Sequence, residues 1–106
     1  MGQRGHGRAE TDVSVTLTLP NGVTQRVDRL RNISLGGLFI EMDELLPFGS
    51  EVDLEFQLPT GGRSVHCRGL VVRRQTTKPT GVGLRLLEIE PSDLRLVADY
   101  LERHLV

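Results

Sequence analysis

The chain has 106 residues, a length that predicts one domain. Its 13 Lys and Arg against 14 Asp and Glu give a formal net charge of −1, which argues against a general binder of nucleic acid polymers. The single cysteine, Cys67, excludes an internal disulfide bond and fits a reducing compartment. Because there is no signal peptide, long apolar run or lipidation motif, we expect a cytoplasmic protein without membrane insertion.

The first third of the chain predicts a mobile segment followed by a hairpin. Residues 1–9 include three glycines and no apolar periodicity, so we assign residues 1–11 to a flexible N-terminal arm. Residues 12–19 alternate between apolar and polar side chains, which is typical of a half-buried strand. The Asn-Gly pair within residues 20–22 predicts a turn, and a second strand follows over about residues 23–30.

The central part predicts four further strands, separated by segments that contain Pro and Gly. These strands cover residues 37–42, 51–58, 63–74 and 81–89. Within residues 63–74 the phase of the apolar side chains shifts near Gly69, which indicates a β-bulge.

The end of the chain changes to helical spacing. Apolar residues at positions 94, 97, 98, 101 and 105 form one stripe, with Ser92 as the expected N-cap, so we predict a helix over about residues 93–104. Six or seven short strands, with turn signals about every 8–12 residues, predict a closed or nearly closed antiparallel β-barrel. The predicted barrel domain covers residues 12–106 and includes the helix.

Residue types that serve catalysis or metal binding are scattered. His6, His66 and His104 fall in three different segments, and Cys67 adjoins His66 in a predicted strand, where neighbouring side chains point to opposite faces. We interpret Cys67 as a small core residue. No group has the spacing of metal ligands, and no nucleophile, base and orienting group can be recognised. The sequence therefore predicts a protein that is not an enzyme and has no metal site.

The first motif that suggests a ligand is RGHGR, which places Arg4 and Arg8 four residues apart in a glycine-rich segment. Each guanidinium offers a fork of donors that suits a phosphate or the O6/N7 edge of guanine. The glycines let the backbone approach a ligand closely. Taken alone, the same pattern also fits a disordered polar tail.

The second motif is Asn32-x-Ser34-x-x-Gly37, at the entry to the strand over residues 37–42. On an extended chain Asn32 and Ser34 point to the same side. Asn offers both a donor and an acceptor, and Ser offers a rotatable hydroxyl. Gly36 and Gly37 remove the next side chains and so leave a small polar platform. Taken alone, the pattern also fits an Asx or Ser turn that starts the strand.

Together the two motifs resemble those of the PilZ domain family, RxxxR near the N-terminus followed by [D/N]xSxxG. The resemblance covers nearly the whole chain, because it extends to LPFGSEVDLEFQLP, to RGLVVRR followed by GVGLRLL, and to PSDLRLVADYL as a closing helix. It implies a six-stranded antiparallel β-barrel that binds the bacterial second messenger cyclic di-GMP without transforming it.

The resemblance also implies which residues meet the ligand: Arg4, Arg8, Asn32, Ser34, Gly36 and Gly37. The two arginines hold phosphates and guanine edges from the arm, while the Asn and Ser hydrogen-bond guanine and the ligand backbone. The motif glycine leaves room where a side chain would block the ligand. We expect the arm to be loose in the free protein and to become ordered by the ligand, which changes the surface that a partner meets.

This chain departs from the family pattern at two positions. Many members carry another Arg directly before RxxxR, where this chain has Gln3. That neighbour helps decide whether one ligand or a stacked pair binds, so both stoichiometries stay open. Asn32 replaces the commoner Asp and lacks the charge to accept strongly from guanine N1 and N2, which predicts lower affinity.

The expected downstream partner is a protein of the motility or polysaccharide and biofilm machinery. An alternative interpretation is a PilZ-like interaction module that binds such a partner without using the nucleotide. A third interpretation is a barrel with a basic tail that contacts RNA or DNA. The net charge of −1, together with only three Phe, one Tyr and no Trp for stacking bases, disfavours that third interpretation.

Overall fold

The computed structural model describes residues 7–104, apart from the side chains of residues 27 and 28. Six strands precede one helix in the order β1 (Arg8–Thr18), β2 (Thr24–Ser34), β3 (Gly37–Glu41), β4 (Glu51–Phe56), β5 (Val65–Gln75), β6 (Gly81–Ile89) and α1 (Pro91–His104). The strands close into a barrel in the order β1-β2-β3-β6-β5-β4, and all six neighbouring pairs are antiparallel. This confirms the predicted six-stranded barrel with a C-terminal helix.

The first strand begins at Arg8, four residues before the predicted start. Arg8, Ala9 and Glu10 lie opposite Ser34, Ile33 and Asn32 of β2. Ala9 is fully buried in the core. Residues 8–11 therefore belong to β1 and not to an arm, because backbone pairing with β2 and one small buried side chain suffice to hold them. The rest of the predicted arm, residues 1–6, lies outside the described residues, and residue 7 directly precedes β1.

The turn between β1 and β2 follows the prediction, whereas the bulges between β5 and β6 differ from it. At the β1–β2 connection, the Asn21 side-chain oxygen accepts a hydrogen bond from the Val23 amide at 2.9 Å, and Gly22 has φ +88°, a conformation that favours glycine. The pairing of β5 with β6 shifts between Arg68 and Gly69, but the extra residue is Leu87 on β6. The inward alternation of β5 continues through Gly69 to Val71, so the bulge predicted in this strand near Gly69 does not lie there. A second shift lies between Val71 and Arg73, and it places two consecutive outward side chains, Val72 and Arg73, on β5.

The barrel interior is filled by the inward-facing apolar residues of all six strands. Cys67 is 9% exposed and lies within this core, as predicted. Burial, with smaller contributions from the carboxylates of Asp93 and Asp53, raises the pKa of its thiol to about 12. The thiol therefore stays protonated near neutral pH, and it packs as a small apolar group.

Helix α1 is attached to the barrel by apolar packing and by two buried polar contacts. Val97 and Leu101 enter the core, and the Tyr100 hydroxyl donates to the backbone carbonyl of Glu10 at 3.0 Å. Asp93, 4% exposed, accepts hydrogen bonds from the Arg63 guanidinium and from the His66 amide. These contacts hold the helix against β1 and β5.

The helix begins at Pro91, two residues before the predicted start. The Leu94 amide donates to the Glu90 carbonyl at 2.9 Å, so Glu90 and not Ser92 occupies the N-cap position. Pro91 is then the first helical residue, where a missing amide hydrogen costs nothing. In the described part of the chain, α1 included, no helix has the length and apolar character needed to span a membrane.

Candidate functional site

The Ser34–Gly37 connection joins β2 to β3 through a tight turn. The Ser34 hydroxyl accepts a hydrogen bond from the Gly36 amide and donates to the Gly37 carbonyl, both at 3.3 Å. The Gly36 carbonyl accepts from the Leu86 amide at 2.9 Å, which extends the β3–β6 pairing by one residue. The Ser turn that the sequence left open is therefore present, and the serine shapes the strand entry.

Gly37 is required by the barrel itself. A Cβ atom at this position would lie 2.3 Å from the backbone carbonyl oxygen of Leu84 on β6. No side chain fits that distance, so β3 and β6 approach each other only because residue 37 is glycine. The family resemblance implies that a glycine is needed here to leave room for a ligand. The structure adds a second reason, the close approach of β3 to β6, which involves no ligand.

A surface depression of about 300 Å³ brings four of the predicted residues together. Arg8 of β1, Asn32 and Ser34 of β2, and Gly37 of β3 all line it. This volume is at the lower end of that of small-molecule sites. A larger depression of about 800 Å³ lies at β4, β5 and the end of β6, but none of the motif residues that the structure describes lines it. The candidate site is the smaller depression, because the motif chemistry converges there.

Arg4, the first arginine of the RxxxR motif, lies outside the described residues. Arg8 is exposed, begins β1 and lies directly opposite Ser34. The two motifs therefore meet through Arg8, although they are separated by more than twenty residues in the sequence. Gly36 follows Ser34 in the turn and does not line the depression.

Beyond the motif residues, an aromatic residue on the outer face of the barrel, Phe39, also lines the depression. Leu38 and Ile40 on β3 point into the core, whereas Phe39 between them points outward. Phe39 is nevertheless only 5% exposed. Its ring lies against β6 near Gly81, where a Cβ atom would come within 2.9 Å of it. A glycine next to an outward aromatic ring is a known way to pack such a ring flat on a sheet.

Arg73 of β5 covers this ring. Its guanidinium carbon is 5.6 Å from the centroid of Phe39, a distance typical of a cation–π contact. The Arg73 side chain crosses Gly83, where an added Cβ would lie 3.4 Å from it. Asn32, Phe39, Gly83 and Arg73 are successive partners across β2, β3, β6 and β5. They form one row of outward positions across four strands.

The charges around the depression are unbalanced. Among the described residues, no carboxylate lies within ion-pair distance of Arg8 or Arg73. By contrast, Arg31, next to Asn32, contacts Glu41 at 3.3 Å. Two cations without a carboxylate partner at one polar depression favour an anionic ligand, and planar guanidiniums favour phosphate or a flat base.

Sequence reasoning identified Arg8, Asn32, Ser34 and Gly37 but missed Phe39, Val72, Arg73 and Gly83, which also line the depression. The sequence contained one signal that could have pointed to Gly83 and to a side chain lying across it. Gly81 and Gly83 fall two residues apart in a strand and so share a face, which indicates that a neighbouring side chain lies flat across it.

Within residues 7–104, no group of three or more His, Cys, Asp or Glu side chains is placed to hold a metal ion. The polar side chains that line the described part of the site carry guanidinium, amide and hydroxyl groups, and Phe39 adds an aromatic ring. Such groups bind phosphates, base edges and base faces.

Comparison with known proteins agrees with this description. The solved structure of the Bacillus subtilis inhibitor of motility (MotI/DgrA) aligns with 97% of this chain at a TM-score of 0.78 and 22% sequence identity, so the two share a fold. The chain spans about half of that protein, 51% of its length. Among curated proteins no relative matches. The family model described as PilZ domain matches residues 2–103, and this chain therefore belongs to the PilZ domain family.

Proposed function

We propose that this protein is a cytoplasmic receptor for cyclic di-GMP that binds the nucleotide without transforming it. The observation that carries the proposal is the convergence of Arg8 with Asn32 and Ser34 on one depression that has unpaired positive charge. Membership of the PilZ domain family supports the same ligand. No catalytic step is part of the proposal, because binding alone transmits the signal.

Each side chain has a chemical role in the proposed complex. Arg8, with Arg4 from the preceding segment, donates to ligand phosphates and to guanine O6 and N7. The Asn32 amide hydrogen-bonds the polar edge of guanine, and the second lone pair of the Ser34 hydroxyl accepts from the ligand. Gly36 and Gly37 keep the strand entry free of side chains, so that the base approaches the backbone.

Arg73, which rests on Phe39, is proposed to hold the flat face of the base. Guanine stacks on a guanidinium plane as it does on an aromatic ring. Because Arg73 already lies over Phe39 at 5.6 Å, its guanidinium is positioned before the ligand arrives. Pre-orientation lowers the entropy cost of binding.

The proposed signal is a change at the N-terminal segment. Arg8 belongs both to the RxxxR motif and to β1, so a ligand that engages Arg4 and Arg8 together fixes the preceding residues against the barrel. The surface that a partner meets then differs between the free and bound protein. We propose a partner in motility or in polysaccharide and biofilm production; the structural relative MotI/DgrA is named as an inhibitor of motility.

Calorimetric titration with cyclic di-GMP, and with cyclic di-AMP for comparison, tests the proposal. We expect micromolar binding of cyclic di-GMP, about −8 kcal/mol. Arg8→Ala should weaken it by about 1–3 kcal/mol, the contribution of one bidentate contact. Arg95→Ala is the matched control, because Arg95 is exposed on α1 and does not line the site. Absence of binding by the unchanged protein would refute the proposal.

A second candidate function is a PilZ-like interaction module that does not use the nucleotide. The observation that favours it is that Ser34 and Gly37 are already explained by the β2–β3 turn and by the contact with Leu84. Such a module would bind its partner equally well after Arg4→Ala and Arg8→Ala, with or without cyclic di-GMP. A cyclic di-GMP receptor would lose the nucleotide dependence of partner binding in the same variants.

A further inference from the structure

Glu10 carries a carboxylate beside the candidate site that neither motif includes. Glu10 of β1 lies directly opposite Asn32 of β2. Directly opposed residues of antiparallel strands share a face, with Cβ atoms about 4.5–5.5 Å apart. Glu10 thus extends the outward row of Asn32, Phe39, Gly83 and Arg73 by one strand. The row has a carboxylate at one end and a guanidinium at the other.

The position of Glu10 is fixed while its side chain stays accessible. Its backbone carbonyl accepts the hydrogen bond from Tyr100 at 3.0 Å, and the next residue, Thr11, donates its hydroxyl to the Leu30 carbonyl. The Glu10 side chain is exposed. Among the described residues, none donates a hydrogen bond or forms an ion pair with its carboxylate.

The chemistry of guanine matches this arrangement. The Watson–Crick edge of guanine carries two adjacent donors, N1–H and the N2 amino group, whereas adenine presents an unprotonated N1 there. The single side-chain oxygen of Asn32 is a neutral acceptor. A carboxylate has two charged acceptor oxygens, and hydrogen bonds to a charged acceptor are about twice as strong as neutral ones.

We propose that Glu10 determines the preference for guanine by accepting hydrogen bonds from N1–H and N2 of a base seated between Asn32 and Arg73. This inference rests on the proposed function, since it concerns the same site and ligand. Arg8, two residues earlier on the same strand and face, is left to hold phosphate. One strand then carries both the phosphate contact and the contact that reads the base.

The test combines protein variants with ligand variants. The ligands are cyclic di-GMP, cyclic di-IMP, whose hypoxanthine bases lack the N2 amino group, and cyclic di-AMP, each titrated by calorimetry. Glu10→Ala and Glu10→Gln should weaken cyclic di-GMP binding by about 10- to 100-fold, the range for a hydrogen bond to a charged group. Both changes should also reduce the preference for cyclic di-GMP over cyclic di-IMP, and they should leave binding of cyclic di-AMP unchanged.

Asp12→Asn is the control for charge alone. Asp12 is an exposed carboxylate on the same strand, paired with Arg29 at 3.2 Å and not opposite Asn32. It should not change the ratio between the three ligands. If Glu10→Ala weakens all three ligands equally or not at all, or strengthens cyclic di-GMP binding, Glu10 does not read the base. If the unchanged protein binds none of them, the proposed function itself fails.

Discussion

At the scale of single residues, glycine does two different things at the candidate site. Gly37 permits β3 to approach the Leu84 carbonyl, so it allows two backbone strands to pack closely. Gly83 leaves space that the Arg73 side chain occupies, so it allows a side chain of the site to pack on the sheet. The two glycines look alike in the sequence, but they differ in what a methyl group would meet.

This difference predicts different responses to alanine. Gly37→Ala should lower the free energy of unfolding by about 1–3 kcal/mol, because the new methyl group can be accommodated only if β3 and β6 separate. Gly83→Ala should cost less, since an ordinary van der Waals distance to a movable side chain remains. Urea denaturation measures both values. Equal stability of Gly37→Ala and the unchanged protein would contradict the packing argument.

At the scale of elements, the helix depends on one buried carboxylate. Asp93 lies in the first turn of α1 and joins that turn to the Arg63 guanidinium and to the backbone of β5 at His66. A negative charge in the first turn is also favoured by the helix dipole. The apolar stripe supplies the contact area, and this carboxylate fixes where the helix starts against the barrel.

We therefore expect Asp93→Ala to destabilise the protein by about 1–3 kcal/mol, since the His66 amide and the Arg63 guanidinium lose their acceptor. Thermal unfolding followed by circular dichroism measures the loss. Asp99→Ala is the control, because Asp99 is an exposed carboxylate on the same helix. A similar effect of both substitutions would show that helix propensity, and not the buried contact, is responsible.

At the scale of the whole molecule, the sequence predicted the barrel because its strands alternate clearly, as Val15 and Leu17 do in β1. It did not predict that β1 starts at Arg8, because Ala9 is the one apolar residue among residues 8–11 and its side chain is too small to show an alternating pattern. The GLFI run hid the orientation of Phe39, because a continuous apolar run does not show which residue faces outward. Arg73 was missed because a bulge changes the alternation just before it.

Ligand binding should alter one region of the barrel and leave another unchanged. We expect cyclic di-GMP to slow amide hydrogen exchange at residues 8–10 and 34–37, which surround the depression, because the proposed ligand contacts reduce local opening. Residues 51–56 of β4 do not line it and should exchange as in the free protein. Uniform slowing over the whole barrel would indicate general stabilisation without a local contact.

The hydrogen bond between Tyr100 and the Glu10 carbonyl has a practical consequence. The chain contains one Tyr and no Trp, so its ultraviolet emission arises from a single phenol. Burial raises the pKa of that phenol, so it stays neutral to a higher pH than an exposed tyrosine. The protein thus contains an intrinsic fluorophore whose hydroxyl is bonded to the residue opposite Asn32, so a change of its emission would report a movement of β1 at that residue.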